Sequence, residues 1–273
     1  MSVMTVNVEV ICVGNELLTG KTLNTNAHWL SGRLTNIGAS VNRITVVADD
    51  VREIAKVVEG AFSRKPTLIV STGGLGPTFD DKTLEGIAEA LKRRLIVNED
   101  ALKMVKRRYK EYGKTAAEGN LEMTSPRVKM ATLPEGAVPI ENPVGTAPAV
   151  RVEVGGTVLF ALPGVPDEMK ATFETHVEPW LRQITAGLRF HEKSIYVDEL
   201  MESALAPLID TVMRDNPGVY VKSHPKGKES MPHIEVHFSI SSENATAAME
   251  KIRIAAVQLA DLVLKASGKV SEA

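Results

Sequence analysis

The chain has 273 residues, 44% of them hydrophobic and 24% charged, with a formal net charge of −2. That is enough for one large domain or two modest ones of ordinary globular composition. So balanced a charge gives no electrostatic case for nonspecific nucleic-acid binding, and no nucleic-acid partner is expected. The only cysteine, Cys12, lies in the apolar run 8–13. It excludes an intramolecular disulfide, reads as a buried structural thiol and fits a reducing compartment. The N-terminus carries no signal-peptide pattern and no apolar run is long enough to span a bilayer, so a cytoplasmic protein with no membrane partner is expected.

Residues 6–13 are a short, β-branched apolar run and read as a buried strand. Gly14-Asn15-Glu16-Leu17-Leu18-Thr19-Gly20 interrupts it. Ala27, Leu30, Leu34 and Ile37 recur at helical spacing and predict a helix over 24–37, with Gly38 as its stop. A second strand is expected at 41–47, a turn at Ala48-Asp49-Asp50, a helix at 51–63 and a third strand at 68–71. Alternation of this kind predicts an α/β domain with a mainly parallel sheet. Ligands of such sheets gather at the carboxyl ends of the strands. Glu16, Asp49 and Asp81 all follow predicted strands and are expected on one rim.

The third strand leads into Ser71-Thr72-Gly73-Gly74-Leu75-Gly76-Pro77-Thr78-Phe79-Asp80-Asp81-Lys82-Thr83, followed by a predicted helix over 84–94. A strand, a glycine-rich turn and a helix start form a natural anion site. Gly73, Gly74 and Gly76 let the backbone approach a phosphate without Cβ interference. The acidic end, Asp80-Asp81, would repel that phosphate unless a metal or basic groups intervene. The stretch therefore points to a metal-assisted nucleotide or phosphate site.

A very basic helix is predicted over 98–112, with Lys103, Lys106, Arg107, Arg108 and Lys110 opposite Ala101, Leu102, Val105 and Tyr109. It reads as a solvated face or as a clamp for an anionic ligand. Residues 113–125 are polar and poorly periodic and read as a mobile connection or lid; Asn120, Arg127 and Lys129 are candidates to reach a substrate. Short strands are predicted at 128–132 and 137–140. The stretch 141–148 is a rigid turn-rich loop, and 149–154 with 157–162 flank Gly155-Gly156 as a hairpin. Pro163-Gly164-Val165-Pro166 opens a helix running to about residue 184. After Gly187 the order becomes β-α-β-β-α, with strands at 193–197, 219–223 and 233–239 and helices at 202–214 and 245–264. This divides the chain into domains 1–186 and 187–273. The apolar face of 245–264 is either a homo-oligomer interface or packs on its own strands. The six histidines show no metal-ligand spacing.

Gly14-Asn15-Glu16-Leu17-Leu18-x-Gly20, Asn24-Thr25-Asn26-Ala27, the loop 73–83, Asn142-Pro143-x-Gly145-Thr146 and Pro163-Gly164-x-Pro166 occur here in the order seen in the CinA family. More broadly, residues 6–184 resemble the MogA/MoaB-like molybdopterin-binding fold. Leu75 with Asp80-Asp81 looks more like the CinA branch than the molybdopterin adenylyltransferases. The resemblance implies a three-layer α/β domain with a mainly parallel sheet. The segment after residue 190 resembles the small α+β KH-type domain of CinA proteins, a fold label that does not imply RNA binding. Longer CinA proteins end in a nicotinamide-mononucleotide deamidase domain; this sequence stops before one, so that activity is not carried over.

The resemblance also implies a nucleotide or pterin-type small-molecule ligand. Its leading functional expectation is a metal-dependent nucleotide pyrophosphatase acting on ADP-ribose or a related dinucleotide, releasing AMP and ribose 5-phosphate. A divalent metal ion would polarise a phosphoryl oxygen and activate water. Asp81, Glu16 and Asp80 are the expected catalytic residues, and Asp81, Glu16 and Asp49 the expected metal ligands. Gly14, Asn15, Gly73, Gly74, Leu75, Gly76, Thr78 and Thr83 are expected to bind substrate, facing Asn142, Gly145 and Thr146 with Pro163 and Gly164. Asn15 stands where many relatives carry an acidic residue or threonine, which argues against a metal role there. The alternatives are molybdopterin binding or adenylylation in molybdenum-cofactor biosynthesis, and a non-catalytic nucleotide-sensing module. Homo-oligomers are common in this fold. The bland readings are Asp81 at a helix start, Glu16 as a surface turn residue, Asp49 capping the helix at Val51, and Asn142-Pro143 as a turn.

Overall fold

The computed structural model describes residues 6–113, 122–185, 187–227 and 232–272. Contacts divide the chain into two compact units: residues up to 185 apart from Asn36–Gly38, and Asn36–Gly38 with the residues after 185.

The first unit is built on a six-stranded sheet. In chain order its strands are β1 (Val6–Val13), β2 (Ala39–Val47), β3 (Leu68–Thr72), β6 (Val138–Ile140), β7 (Ala149–Val154) and β8 (Thr157–Leu162). Their spatial order is β2-β1-β3-β8-β7-β6. The four strands from β2 to β8 run parallel, while β7 and β6 are antiparallel additions. All of β1 except Asn7 is buried, as expected of a parallel strand covered on both faces.

Alternate residues of the strands serve two cores. Ile11 and Val13 of β1, Ile69 of β3 and Leu159 of β8 pack with Ile54 and Val58 of α3 (Val51–Ser63), Leu84 and Ile87 of α4 (Thr83–Ala90), and Ala101 and Val105 of α5 (Glu99–Gly113). On the other face α2 (Thr25–Asn36) meets a helical segment made of α7 (Pro166–Thr172), a π turn (Phe173–Val177) and α8 (Glu178–Ile184). Trp29 packs edge-on against Phe173 at 5.4 Å, and Phe160 of β8 against Trp180 at 5.6 Å. Helices, sheet and helices make the three layers. The Gly155-Gly156 hairpin is present as predicted, with β7 and β8 paired around it.

Two local expectations are corrected. The predicted strand 128–132 is instead the short helix α6 (Ser125–Lys129) followed by β5 (Thr132–Pro134). Thr124 precedes a proline in the first turn, a helix-start signal that outweighs the apolar content. The predicted helix 84–94 is cut back to α4, because Lys92 adopts a positive φ of 53° and residues 95–97 form β4 (Leu95–Val97), paired with β5. A short helix α1 (Asn15–Leu18) also lies in the stretch after β1. Asn120 and most of the expected lid fall outside the described residues.

The second unit contains β9 (Arg189–Asp198), α9 (Glu202–Asp215), β10 (Tyr220–Pro225), β11 (His233–Ser242), α10 (Ala245–Lys265) and β12 (Lys269–Glu272). The sequence reading stops one strand short. With β12, the antiparallel order β10-β11-β9-β12 is that of a split β-α-β-β-α-β unit. Ile252, Ala255, Leu259 and Val263 of α10 are buried with Val197, Val236 and Phe238, so the stripe facing the sheet is spent within this unit.

Glu9 of β1 is 5% exposed and accepts from Arg64, just past α3, through both carboxylate oxygens at 2.7 Å. Removing the guanidinium leaves a buried carboxylate short of donors. Arg64→Met is expected to lower the unfolding free energy by about 1–3 kcal/mol, read as a reduced midpoint in urea unfolding. An unchanged midpoint would show that the pair contributes nothing.

Candidate functional site

The strand order reverses direction at β1: the chain moves outward to β2, then returns to place β3 on β1's other side. Crevices at such switch points are where open α/β sheets hold ligands. Each strand end there is stitched to its neighbour beyond the sheet. Gly14 N–H donates to Val47 O at 3.1 Å, and Gly73 N–H to Leu162 O at 3.1 Å. The buried Thr72 hydroxyl donates to Pro163 O at 2.7 Å and accepts from Asn26 Nδ2 at 3.1 Å, while that amide also donates to Gly164 O at 2.8 Å. Gly73 has φ +102°, and a Cβ there would lie 2.2 Å from Val13 O, so only glycine leaves β3 along this path.

Two cavities flank the loop that follows. One, of about 260 Å³, is lined by Gly14, Glu16, Asn26, Asp49, Gly73, Thr78, Asp80, Asp81 and Gly164, with Gly74 among others. The second, of about 370 Å³, is lined by Leu75, Gly76, Leu84, Leu95, Met123 and Lys129, and shares Gly74 and Asp81 with the first. The loop is thus a partition rather than a floor.

Four carboxylates meet in the first cavity. The Thr78 hydroxyl stands 2.5 Å from Asp80 Oδ1 and 2.6 Å from Asp81 Oδ2, and Thr78 N–H donates to Asp81 Oδ2 at 2.8 Å. The Thr78 hydroxyl bond holds the exposed Asp80 carboxyl below its ordinary range. Asp49 accepts from Asn15 N–H at 2.8 Å. Burial, reinforced by Glu16, Asp80 and Asp81, pushes Asp49 above its ordinary value against that hydrogen bond. Lys129 brings a positive charge from α6: its ammonium donates to Asp81 O at 2.7 Å and to Thr78 O. Burial pulls its pKa down. Among the described residues, no three His, Cys, Asp or Glu side chains are close enough to hold a metal ion.

The expected site residues fall into three groups. Glu16, Asp49, Asp80, Asp81, Gly14, Gly73, Gly74, Thr78 and Gly164 share the first cavity, while Leu75 and Gly76 line the second. Thr83, Asn15 and Pro163 support the loops: the Thr83 hydroxyl donates to Gly73 O at 2.7 Å, Asn15 holds Asp49, and Pro163 receives Thr72. Asn142, Gly145 and Thr146 line neither cavity. Asn142 is 3% exposed; its oxygen accepts from Val144 and Gly145 N–H, and its amide donates to Ala147 O and Glu168 Oε2. A Cβ on Gly145 would overlap Glu168 Oε2 at 1.9 Å, which explains the glycine on packing grounds.

The helix cap before Val51 is Asp50, accepting from Arg52 and Glu53 N–H at 3.0 Å, so Asp49 is left to face the cavity. Asn26 is a residue whose place in the site the sequence did not reveal, while Lys129, a candidate to reach a substrate, lies against the loop that carries Asp81. Arg107 and Arg108 of the basic helix hold chain rather than face a cleft: Arg107 pairs with Glu141 at 2.5 Å, and Arg108 donates to Asn142 O. Cys12 is buried, and burial raises its pKa. No described helix is long and apolar enough to cross a membrane.

Residues 9–183 match the family described as "Probable molybdopterin binding domain". A protein of Metallosphaera sedula is 45% identical over 246 residues, covering 90% of this chain and 89% of that one. Protein Ta0487 of Thermoplasma acidophilum is 40% identical over 265 residues, with 97% and 98% covered. A crystal structure described as the protein CinA with unknown function, from Thermoplasma acidophilum, is 44% identical with a TM-score of 0.57. It is matched over 98% of its own length and 63% of this chain. The chain belongs to the family of probable molybdopterin-binding domains, and its first unit is a three-layer α/β domain with a mainly parallel sheet. Within that family it is CinA-like, as the order of its motifs implies.

Because Asp49 holds its proton more tightly when folded, its contribution to stability is present below its ordinary value of 3.8 and is lost as pH rises through the folded-state value. Asp49→Asn keeps an acceptor for Asn15 N–H and removes the charge. The variant is expected to gain thermal stability over the parent at neutral pH, with the gain shrinking as pH falls through the carboxylate range. A gain that does not vary with pH would assign the effect to packing instead of charge.

Proposed function

We propose that the first cavity binds a phosphorylated pterin-type small molecule, of which molybdopterin is the example favoured by the family's description. The observation that carries this reading is the run Gly74-Leu75-Gly76, whose N–H groups have no acceptor among the described residues; Gly74 lines the first cavity, and the run continues along its boundary with the second. Successive free amides beside a helix start are a phosphate cradle. The comparisons lend the ADP-ribose pyrophosphatase expectation no support of their own, and the molybdopterin alternative accords with them better.

The carboxylates favour a second reading on the same site. Glu16, Asp49, Asp80 and Asp81 beside a phosphate repel it unless a cation stands between them. With no set of three among the described residues ready to hold an ion, the arrangement suits a hard divalent cation that arrives on the ligand's phosphates and keeps most of its water. Asp81 and Glu16 are the groups proposed to meet that cation, with Asp49 in support. If the ligand carries a phosphoanhydride, as ADP-ribose does, a carboxylate here is placed to orient an attacking water.

Equilibrium titration with molybdopterin, with and without Mg²⁺, tests the first reading. Binding is expected for the parent chain, and Asp81→Asn is expected to weaken it roughly tenfold with Mg²⁺ and to leave it unchanged or tighter without. No binding at any Mg²⁺ concentration sinks the pterin reading. Incubation with ADP-ribose and a panel of divalent ions tests the second; absence of AMP with every ion removes hydrolysis.

A further inference from the structure

Strand β4 stands apart from the other strands of the first unit. Leu95, Ile96 and Val97 are consecutive apolar residues, and they are 38%, 40% and 46% exposed. Among the described residues β4 pairs with β5 alone. Its inner edge is defined by two bonds that bracket the ladder: Asn98 N–H to Ala131 O at 2.8 Å and Glu135 N–H to Arg94 O at 2.8 Å. In an antiparallel ladder the bonded pairs alternate, so Ile96, opposite Leu133, turns its backbone groups toward β5, as Arg94 C=O and Asn98 N–H turn toward the residues that flank it. The N–H and C=O groups of Leu95 and Val97 therefore point to the opposite edge, which is unpaired among the described residues. An apolar strand with an open edge is a template for another strand.

The residues around it specify which strand. The segment reads Arg93-Arg94-Leu95-Ile96-Val97-Asn98-Glu99-Asp100, basic at one end and acidic at the other. Laid antiparallel against a second copy of itself, the basic end of each segment meets the acidic end of its partner. Laid parallel, like charges would coincide. The pattern is self-complementary about Ile96, as a two-fold contact requires. Arg94 and Asp100 hold exposed ion pairs within the chain, with Glu135 at 2.9 Å and Lys103 at 2.9 Å, and exposed pairs of this kind exchange readily.

We propose that β4 is a self-association edge, at which two copies of this chain pair antiparallel about a two-fold axis through Ile96. Leu95 of each copy then bonds to Val97 of the other through both backbone groups. Ile96 faces its own counterpart in the non-bonded position, where Cα atoms stand about 4.5 Å apart. Leu95 also lines the second cavity, so this contact forms at its rim. Three residues a side is a small interface, and the association is expected to be weak, with a dissociation constant roughly in the micromolar-to-millimolar range.

The register gives a covalent test. About 4.5 Å lies within the disulfide range, so Ile96→Cys is expected to cross-link to a dimer under mild oxidation. Cys12 is 0% exposed and serves as a silent background. Leu264→Cys, at a 59% exposed position on α10, reports the competing helix-face contact. Ile96→Cys is expected to cross-link at least about tenfold faster than Leu264→Cys. Adding Arg93→Glu should slow it, and adding Glu99→Arg to that pair should restore it. Sedimentation of the otherwise unmodified chain should show concentration-dependent dimer that Val97→Pro, lacking the edge N–H, abolishes. Equal or faster cross-linking at Leu264, or a chain monomeric at roughly 1 mM, overturns the proposal.

Discussion

The Thr72 hydroxyl is the small group on which the geometry of the crevice depends. It is buried at the end of a parallel strand, where the ladder has run out and backbone groups need new partners. By donating to Pro163 O and accepting from Asn26, it ties β3 to the loop after β8 and to the start of α2. Gly73 must then turn against the Val13 carbonyl, and the remaining loop is thrown forward between two cavities. Glycine at 73 and an amide at 26 follow from that tie. A valine at 72 would keep the β-branched shape and lose both bonds, leaving the Pro163 carbonyl and the Asn26 amide each short of a partner.

The same loop gathers charge of one sign and has it offset from one side. Thr78 supplies a hydroxyl and an N–H to Asp80 and Asp81, which fastens both carboxylates without neutralising either. Lys129 does the neutralising at one remove, because it holds the carbonyls of Thr78 and Asp81 and lies near both acids. Asp49, across the crevice, has no such neighbour among the described residues, and burial, with the other acids' repulsion added to it, raises its proton affinity. The cavity is thus held partly charged against its own interest. A structural turn gains nothing from that, whereas a site that receives a cation with its ligand does.

Much of this fold was legible because parallel strands buried on both faces leave unbroken apolar runs, as in residues 6–13 and 68–71. The rim was legible for a related reason: acids and glycines that directly follow such strands must lie at one end of the sheet. What escaped was set by tertiary partners. Residues 128–132 look like a strand by composition, yet Ser125-Pro126 starts a helix, and it is this helix that carries Lys129, already a candidate to reach a substrate, to the Asp81 carbonyl. Asn142, Gly145 and Thr146 were expected as a binding wall because their motif matches the family that the chain resembles. The Asn142 side chain is spent on its own loop and on Glu168. Periodicity carries no trace of such a network.

The distribution of roles along the loop limits what the site can do by itself. The free amides of Gly74-Leu75-Gly76 favour an anion, and Asp80 and Asp81, a few residues on, oppose it. These two demands are compatible only if the ligand's negative charge is concentrated near the glycines and something positive separates it from the acids. Lys129 lines the second cavity and not the first, so it offsets the acids from behind their loop and does not stand between them and a ligand in the first. Under the proposed function the missing charge comes with the ligand, as a divalent cation bound to its phosphates. On this argument binding and hydrolysis are not rival architectures. In the proposed function they share one electrostatic requirement, and the chemistry of the ligand's phosphate decides between them.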